Sequence, residues 1–270
     1  IADFKGDSLE LARIAARTDS KLIVYCGVDF MAETASILCP NAKVLMPDRS
    51  STCPMANMLT AAQLKDLKKK HPKAVVIGYV NSSAEVKAEL DACCTSSNAI
   101  AVVNAYKDAP EIIFGPDKYL GDYVSKKTGR KLIGWTGFCP THIKILPEDL
   151  SKAKRLHPGS KVLVHPECLP EVAAMADAVL STAQMGVYAK NSDAQEFIIG
   201  TETNMIYRLK KDYPGKSFYP AAERAVCPNM QKVTLEKVLY ALETMKEEVK
   251  VPDDIRARAR KAIDRMLEIV

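Results

Sequence analysis

The sequence predicts an α/β protein made of three similar αβα three-layer domains, each with a parallel sheet between layers of helices. One observation is a repeat with a period of 85 to 88 residues, on which Cys-Pro pairs, His-Pro pairs, Gly-x-acid triplets and helix-opening hydroxyl residues recur in the same order. A second is that apolar segments alternate with helical patterns, which is typical of parallel strands covered on both faces. A period this long indicates tandem domains rather than a solenoid.

The first unit, residues 1–72, has fewer strand segments than the others. Its apolar segments are a brief one at 3–7 and two longer ones at 21–27 and 43–47. When the period is subtracted from the first strand of the second unit, the matching strand falls before Ile1. We therefore expect the first domain to lack its first strand in this chain. The alternative is a unit that has lost this strand altogether.

The second unit, residues 73–158, shows the full pattern of four strands with helices between them. Strands are predicted near 74–80, 91–95, 111–115 and 131–135, with helices at 83–90, 97–107 and 117–127. Ser82 and Glu85 have the spacing of a capping box. Asp117 can cap the third helix. Right-handed crossovers are expected between the parallel strands.

The third unit, residues 159–249, repeats this pattern. Its strands are predicted near 161–165, 178–181, 196–200 and 216–220. Two helical patterns, 234–247 and 252–268, follow the last Cys-Pro pair, and we interpret both as lying outside the repeat. We expect the C-terminal helix, within 250–270, to pack on the first domain.

Composition excludes several classes of protein. The 270 residues are 47% apolar and 26% charged, as in ordinary globular domains. The net charge of +5 is spread along the chain without a basic block, so we expect no nucleic-acid partner. No apolar run reaches the ~18 residues of a membrane helix, and no secretory signal is visible. We therefore expect a cytoplasmic protein with no membrane partner and with reduced thiols.

Three of the eight cysteines lie in register with the repeat and are each followed by proline: Cys53, Cys139 and Cys227. Three thiolates from equivalent loops suit an iron–sulfur cluster with one iron left open. The alternative is three unrelated core cysteines, since free cysteine is often buried. The remaining five fall out of register or within apolar segments, and we interpret them as non-ligands: Cys26, Cys39, Cys93, Cys94 and Cys168.

Ligands of parallel α/β sheets bind beyond the carboxyl ends of the strands, where all the repeated landmarks lie. Three such edges facing one axis would bring the cysteines together. They would also direct several helix N-termini, with their free N–H groups, at a small anionic molecule. Hydroxyl residues at these helix starts would add donors, although each could be an ordinary N-cap: Ser8, Ser96, Ser181 and Thr182.

The ends of the first strands carry the chemistry that differs between units. The second unit ends this strand in Tyr79-Val80-Asn81, and the third in His165-Pro166-Glu167. A phenol, an amide, an imidazole and a carboxylate are suited to proton transfer. His142, three residues after Cys139, adds an imidazole near the predicted cluster.

Four motifs closely resemble those of quinolinate synthase: Thr52-Cys53-Pro54-Met55-Ala56-Asn57, Tyr79-Val80-Asn81-Ser82, His165-Pro166-Glu167-Cys168 and Cys227-Pro228-Asn229-Met230. Further similar stretches at 1–9, 27–33 and 114–117 extend the likeness along the whole chain. The resemblance implies three αβα domains around a pseudo-threefold axis. It also implies a transferase that condenses iminoaspartate with dihydroxyacetone phosphate to quinolinate, for NAD biosynthesis, with an aspartate-oxidising enzyme supplying the iminoaspartate.

The same resemblance implies roles for individual residues. It gives Cys53, Cys139 and Cys227 to a [4Fe-4S] cluster, whose open iron would act as a Lewis acid on the substrate. The catalytic residues would be Tyr79, His142, His165 and Glu167. The substrate-binding set would be Ser8, Tyr79, Val80, Asn81, Ser96, His165, Pro166, Glu167, Ser181 and Thr182.

This sequence departs from the family pattern in two places. The family has a further stretch before the equivalent of Ile1, with a strand whose final His and Tyr reach the site. The loop Trp135-Thr136-Gly137-Phe138 also differs from the usual pattern. Three other functions stay open at this point: an iron–sulfur hydro-lyase on another carboxylic acid, a non-catalytic iron–sulfur or anion-binding sensor, and a structural protein with buried thiols and no metal.

Overall fold

The computed structural model describes residues 1–269 and confirms the α/β class. The first unit contains α1 (Ser8–Ala15), β1 (Leu22–Val24), α2 (Asp29–Leu38), β2 (Lys43–Leu45) and α3 (Ala61–Lys70). The second contains β3 (Ala74–Tyr79), α4 (Ala84–Lys87), β4 (Ala92–Cys94), α5 (Ala99–Ala105), β5 (Glu111–Gly115), α6 (Lys118–Thr128), β6 (Ile133–Gly134) and α7 (Pro147–Leu156). The third contains β7 (Lys161–Val164), α8 (Pro170–Ala174), β8 (Ala178–Val179), α9 (Thr182–Asn191), β9 (Glu196–Gly200), α10 (Asn204–Asp212), β10 (Ser217–Pro220) and α11 (Leu235–Thr244), and α12 (Asp253–Glu268) follows the three units.

The sheets of the second and third units have the same topology. Their strand orders are β4-β3-β5-β6 and β8-β7-β9-β10, and all neighbouring strands are parallel. The strands predicted in these two units are all present. The side chains of β3, β4, β5, β7 and β9 are mostly buried, as expected for a sheet covered on both faces. Those of the edge strands β6, β8 and β10 are mostly half-buried.

The sheet of the first unit has two parallel strands, β1 and β2, which match the third and fourth strands of the other units. The prediction of a strand at 3–7 is wrong, because Asp7 is the N-cap of α1 and no strand precedes it in the described chain. In the other units the second strand pairs only with the first strand. Residues 3–7 have no such partner among residues 1–269. A first strand before Ile1 stays a prediction.

A helix follows each repeated cysteine at the same distance. α3, α7 and α11 begin at Ala61, Pro147 and Leu235, eight residues after Cys53, Cys139 and Cys227 respectively. The interpretation of 234–247 as lying outside the repeat is therefore wrong. α3 packs on α4 of the second unit, α7 packs on α8 and β9 of the third, and α11 packs on β1 of the first. The last helix of each unit therefore packs on the next unit, and α11 of the third unit packs on the first.

The C-terminal helix α12 contacts two units. It packs against β4 and α4 of the second unit and against α2 of the first. Its buried face joins a continuous core shared by these two units: Ala259, Ala262, Ile263 and Met266. The third unit has its own core on each face of its sheet, one around Val162 and Ile198 and one around Leu163 and Phe197.

Two predicted helix caps have different outcomes. Asp117 caps α6 as predicted, because its Oδ1 accepts the Leu120 N–H at 2.8 Å. The predicted capping box at Ser82 is wrong by one residue. Ser83 is the N-cap of α4, and Ser82 instead donates its hydroxyl to the Tyr79 carbonyl at 2.8 Å, which holds the end of β3.

None of the helices in the described part of the chain combines the length and the apolar character that crossing a membrane requires.

Candidate active site

Three loops that carry Cys53, Cys139 and Cys227 lie next to one another. All three cysteines are half-buried and none is in a disulfide. Each pair of loops is joined by a hydrogen bond: Ser51 Oγ to Asn229 O at 2.7 Å, Trp135 Nε1 to Met58 O at 2.7 Å, and Lys144 Nζ to Val226 O at 3.4 Å. The loop that departs from the family pattern therefore contributes one of these contacts through Trp135.

Glu167 lies between side chains of the second and third units. It follows β7, and its Oε1 accepts the hydroxyl of Tyr79, the last residue of β3, at 2.6 Å. His142 Nδ1 lies 2.9 Å from Oε2 of the same carboxylate. His142 belongs to the short 3-10 turn that follows Cys139. Three predicted catalytic residues are thus in direct contact.

Thr201 is a member of this group that the sequence analysis missed. It is buried, and its Oγ1 lies 2.8 Å from His142 Nε2. Thr201 is the middle residue of a Gly-x-acid triplet, at the position of Val28 and Pro116 in the other units. A hydroxyl at this position in one unit alone was the signal that could have identified it.

Burial and charge set the protonation of the group. Burial alone would raise the pKa of Glu167, but the charge of His142 and the Tyr79 hydrogen bond lower it. Burial disfavours the charged form of His142, yet the charges of Cys139 and Glu167 raise its pKa well above the ordinary value. Burial, together with the Glu167 charge, raises the pKa of Tyr79. At neutral pH the group is a phenol beside an imidazolium–carboxylate pair.

His165, the fourth predicted catalytic residue, is neutral, and its neighbours fix the orientation of its imidazole ring. Its ring stacks on that of His142 with centroids 4.6 Å apart, and burial lowers its pKa to about 3. Its Nδ1 accepts the Glu167 backbone N–H at 3.3 Å, so its proton lies on Nε2. That N–H faces Ser96 Oγ at 3.2 Å. Ser96 therefore lies beside His165, and its role in substrate binding stays a prediction.

The starts of equivalent helices from all three units also meet. Ser97 donates to Asp7 Oδ2 at 2.9 Å and contacts Ser181 Oγ at 2.8 Å. Asp7 is the N-cap of α1 and Ser181 that of α9. Sequence reasoning identified Ser181 but missed Asp7 and Ser97. Asp7 was not expected, because the site was predicted to bind anions and no acid recurs at this position of the repeat.

The other predicted substrate-binding residues lie in different surroundings. Ser8 and Val80 line an apolar groove with Tyr25 and Phe30, between α1 and α2. Pro166 is buried between His165 and Glu167. Asn81 and Thr182 are half-buried at the end of β3 and the start of α9.

The donor set on this side of the site suits a metal centre. The ligand atoms of Cys139, His142 and Glu167 all lie within 4.8 Å of one another. His142 Nδ1 is buried without a well-directed hydrogen-bond partner in the described chain. Burial raises the pKa of Cys53, and the charges of Cys139 and Glu167 raise it further. Such thiols ionise readily only when a cation compensates the charge.

The five other cysteines have ordinary environments. Cys93 and Cys94 are fully buried in β4. Cys39 and Cys168 are buried and donate to backbone carbonyls, at 2.9 Å and 3.3 Å. Cys26 is exposed and follows β1, so its placement within a strand is wrong. Their assignment as non-ligands stays a prediction.

The chain matches known proteins along its whole length. The family model of the quinolinate synthetase A protein (NadA) matches residues 1–268. The quinolinate synthase of Dehalococcoides mccartyi strain CBDB1 is 53% identical over 269 residues, which cover 100% of this chain and 89% of that protein. Quinolinate synthase 1 of Methanosarcina acetivorans is 54% identical, and the alignment covers 100% and 88% of the two chains. The quinolinate synthase of Thermodesulfovibrio yellowstonii is 50% identical over 271 residues, covering 100% and 89%. The chain, an enzyme by these relationships, belongs to the quinolinate synthase family.

Proposed function

We propose that this enzyme is a transferase that condenses iminoaspartate with dihydroxyacetone phosphate to quinolinate, in NAD biosynthesis. The observation that carries the proposal is the buried contact of Glu167 with Tyr79 and His142, beside Cys139. The names of the relatives support it. An aspartate-oxidising enzyme is the expected source of iminoaspartate. A cytoplasmic location suits free cysteines, because thiols stay reduced there.

We propose that Cys53, Cys139 and Cys227 hold a [4Fe-4S] cluster. Their adjacent loops, half-buried thiols and freedom from disulfides support this assignment. When bound, the cluster supplies an iron without a protein thiolate, which can act as a Lewis acid on a substrate carboxylate or hydroxyl.

The protein side chains would bind the substrates and move protons. The ionised Glu167 can accept a proton from a substrate carbon or hydroxyl, and Tyr79 can donate its phenolic proton to an oxygen that gains negative charge. His142 stabilises the Glu167 carboxylate, with Thr201 fixing the imidazole. Ser96, Ser181 and the N–H groups at the start of α9 are suited to phosphate and carboxylate oxygens.

The test is an anaerobic preparation with iron and sulfide counts, followed by product analysis. We expect three to four irons per chain, and quinolinate only when both substrates are present. A hydro-lyase would form product without dihydroxyacetone phosphate, a sensor would bind without turnover, and a structural protein would hold no iron. Any of these outcomes would contradict the proposal.

The ligand assignment has a matched set of variants. Cys53→Ser, Cys139→Ser and Cys227→Ser should each lose the cluster, measured by visible absorbance and by iron and sulfide content. Cys39→Ser, Cys93→Ser and Cys94→Ser are the controls, since these thiols lie in the core rather than on the three loops. An intact cluster in any of the first three variants would remove that cysteine from the ligand set.

A further inference from the structure

We propose that Asp29, Asp117 and Glu202 are positioning residues that hold the three cluster cysteines in place. They are the acids of the Gly-x-acid triplets, which the repeat identified but to which the reaction gives no role. The inference rests on the proposed function, because it assumes that these cysteines bind a cluster.

Each acid accepts a hydrogen bond from the backbone N–H of the cysteine in its own unit. The bonds are Cys53 N to Asp29 Oδ1 at 3.2 Å, Cys139 N to Asp117 Oδ2 at 3.1 Å, and Cys227 N to Glu202 Oε1 at 3.2 Å. The third unit uses the longer glutamate and still has the same bond length. The contact is thus present in all three units, although the residue type differs.

The same carboxylates accept hydrogen bonds from the first turns of α2, α6 and α10. The bonds are Phe30 N to Asp29 Oδ1 at 2.8 Å, Leu120 N to Asp117 Oδ1 at 2.8 Å, and Asn204 N to Glu202 Oε2 at 2.9 Å. The free N–H groups and the dipole of a helix N-terminus stabilise a negative charge there. Each acid therefore links the start of a helix to the cysteine loop of its own unit.

A second hydrogen bond fixes each cysteine loop to the same segment. A backbone N–H at the acid or one residue after it donates to the carbonyl two residues before the cysteine. The bonds are Asp29 N to Ser51 O at 2.9 Å, Lys118 N to Gly137 O at 2.8 Å, and Thr203 N to Ala225 O at 3.0 Å. We call this pair of bonds, one to the carbonyl and one to the carboxylate, the acid clamp.

Helix capping alone does not account for the acid clamp. A cap needs only the bond to the helix, and Ser83 caps α4 with no contact to a cysteine. The additional bond satisfies the cysteine N–H and fixes the backbone from which the thiol projects. Groups that orient metal ligands in this way typically affect metal affinity by about 10- to 100-fold when removed.

The three acids differ in which carboxylate oxygen accepts each hydrogen bond. Amide variants should therefore have different effects at the three positions. Asp29 makes both bonds with Oδ1, whereas Asp117 and Glu202 use one oxygen for the helix and the other for the cysteine. An amide keeps one acceptor oxygen. Asp29→Asn should therefore keep both bonds, while Asp117→Asn and Glu202→Gln should each lose one.

The test measures cluster retention in the full chain. Clusters are assembled anaerobically in each variant, iron and sulfide are counted, and loss of visible absorbance is followed after addition of an iron chelator. We expect cluster loss at least about 10-fold faster in Asp29→Ala, Asp117→Ala and Glu202→Ala. Asp29→Asn should match the unmodified protein. Asp117→Asn and Glu202→Gln should fall between.

Ser83→Ala is the matched control, since it removes a helix cap without touching a cysteine loop. It should lower the melting temperature of the apoprotein without faster cluster loss. If the unmodified protein assembles no cluster, the proposed function fails. If it assembles one and the alanine variants retain it equally long, the acid clamp is overturned and the proposed function stands. Should Asp117→Ala not fold, Asp29→Ala against Asp29→Asn still decides the question.

Discussion

Glu167 carries a negative charge at a position with 3% of its surface exposed. A buried charge without partners is costly, so the carboxylate depends on Tyr79 and His142. Its two oxygens face these two groups, at 2.6 Å and 2.9 Å. A carboxylate held between a phenol and an imidazolium can pass protons in either direction.

Replacing Glu167 by glutamine tests this role. Glutamine is nearly isosteric but cannot exchange a proton at neutral pH, so turnover should fall by about 10²- to 10⁴-fold. The cluster and the binding of the dicarboxylate substrate should persist. Single-turnover kinetics and the cluster spectrum are measured on the same sample. Near-normal turnover with a normal cluster would make Glu167 a structural partner of the histidines only.

Replacing Thr201 tests how much turnover depends on the orientation of the His142 imidazole. Thr201→Val keeps the side-chain shape and removes the hydroxyl that faces Nε2. A hydrogen bond to a charged group contributes about 1.5–3 kcal/mol, so we expect turnover to fall roughly 10- to 100-fold. Thr201→Ser should restore most of it. A valine variant as active as the serine variant would show that the imidazole needs no such support.

The sequence could predict that these side chains meet, because they lie at the ends of strands that are visible as apolar runs. Tyr79, His165 and Glu167 were found in this way, and their meeting follows from the parallel sheets. The hydroxyl in the third triplet distinguishes Thr201 in the sequence, but its contact with His142 and that of Ser97 with Ser181 could not be predicted. Their contacts depend on how one unit faces another, and a period within the chain does not define that angle.

Among the elements, α3, α7 and α11 form the connection between successive units. Each places one aliphatic side chain at the same position of the helix: Leu64, Leu150 and Val238. The first two are 1% and 0% exposed, whereas Val238 is half-buried. The contact of α11 with the two-stranded sheet is therefore the looser one.

Alanine substitutions at these three positions should show how much each helix contributes to stability. Leu64→Ala and Leu150→Ala should each lower the free energy of unfolding by about 2–5 kcal/mol, because they leave cavities in closed cores. Val238→Ala should cost less, since a smaller and partly hydrated side chain is removed. Denaturant unfolding of the three variants gives the comparison. An equal loss at Val238 would show that α11 packs as tightly as its equivalents.

Most elements of the second and third units could be predicted. The strands of the second and third units are apolar runs with helical patterns between them, and both features are visible in the sequence. The place of α11 in the repeat was not recognised, because its exposed leucines at 235, 239 and 242 differ from the lysine-rich surface of α3. Thr60 and Thr234, the N-caps of α3 and α11, are two periods apart, and this spacing indicates that the two helices are equivalent.

At the scale of the whole molecule, the first unit differs from the other two. β1 pairs with β2, whereas its equivalents β5 and β9 pair with strands on both sides. The repeat therefore predicts that β1 would accept a strand on its other edge. Most of the side chains that line the groove between α1 and α2 are apolar, although Ser8 and Thr34 also line it.

Extending the chain upstream by roughly thirty residues, enough for a strand and a short helix, should complete this sheet. We expect slower amide hydrogen exchange at Leu22–Val24 and tighter substrate binding than in residues 1–270. Exchange at Glu111–Gly115, whose pairing would not change, is the internal reference. Unchanged exchange and unchanged binding would mean that the first unit works with two strands.

The hydrogen bond between Ser51 and Asn229 joins loops that are 178 residues apart in the chain. During synthesis at about 5–20 residues per second, roughly 10 to 35 s separate the appearance of the two loops. Individual units can fold as they emerge, but Cys227 follows Cys139 by a whole repeat unit. If the three thiols bind the proposed cluster, its assembly can be completed only after Cys227 has been synthesised, and Cys53 and Cys139 have no third thiol ligand until then. On that proposal, release or stalling after the second unit would leave these two thiols open to oxidation, so the order of synthesis sets a period of sensitivity to oxygen.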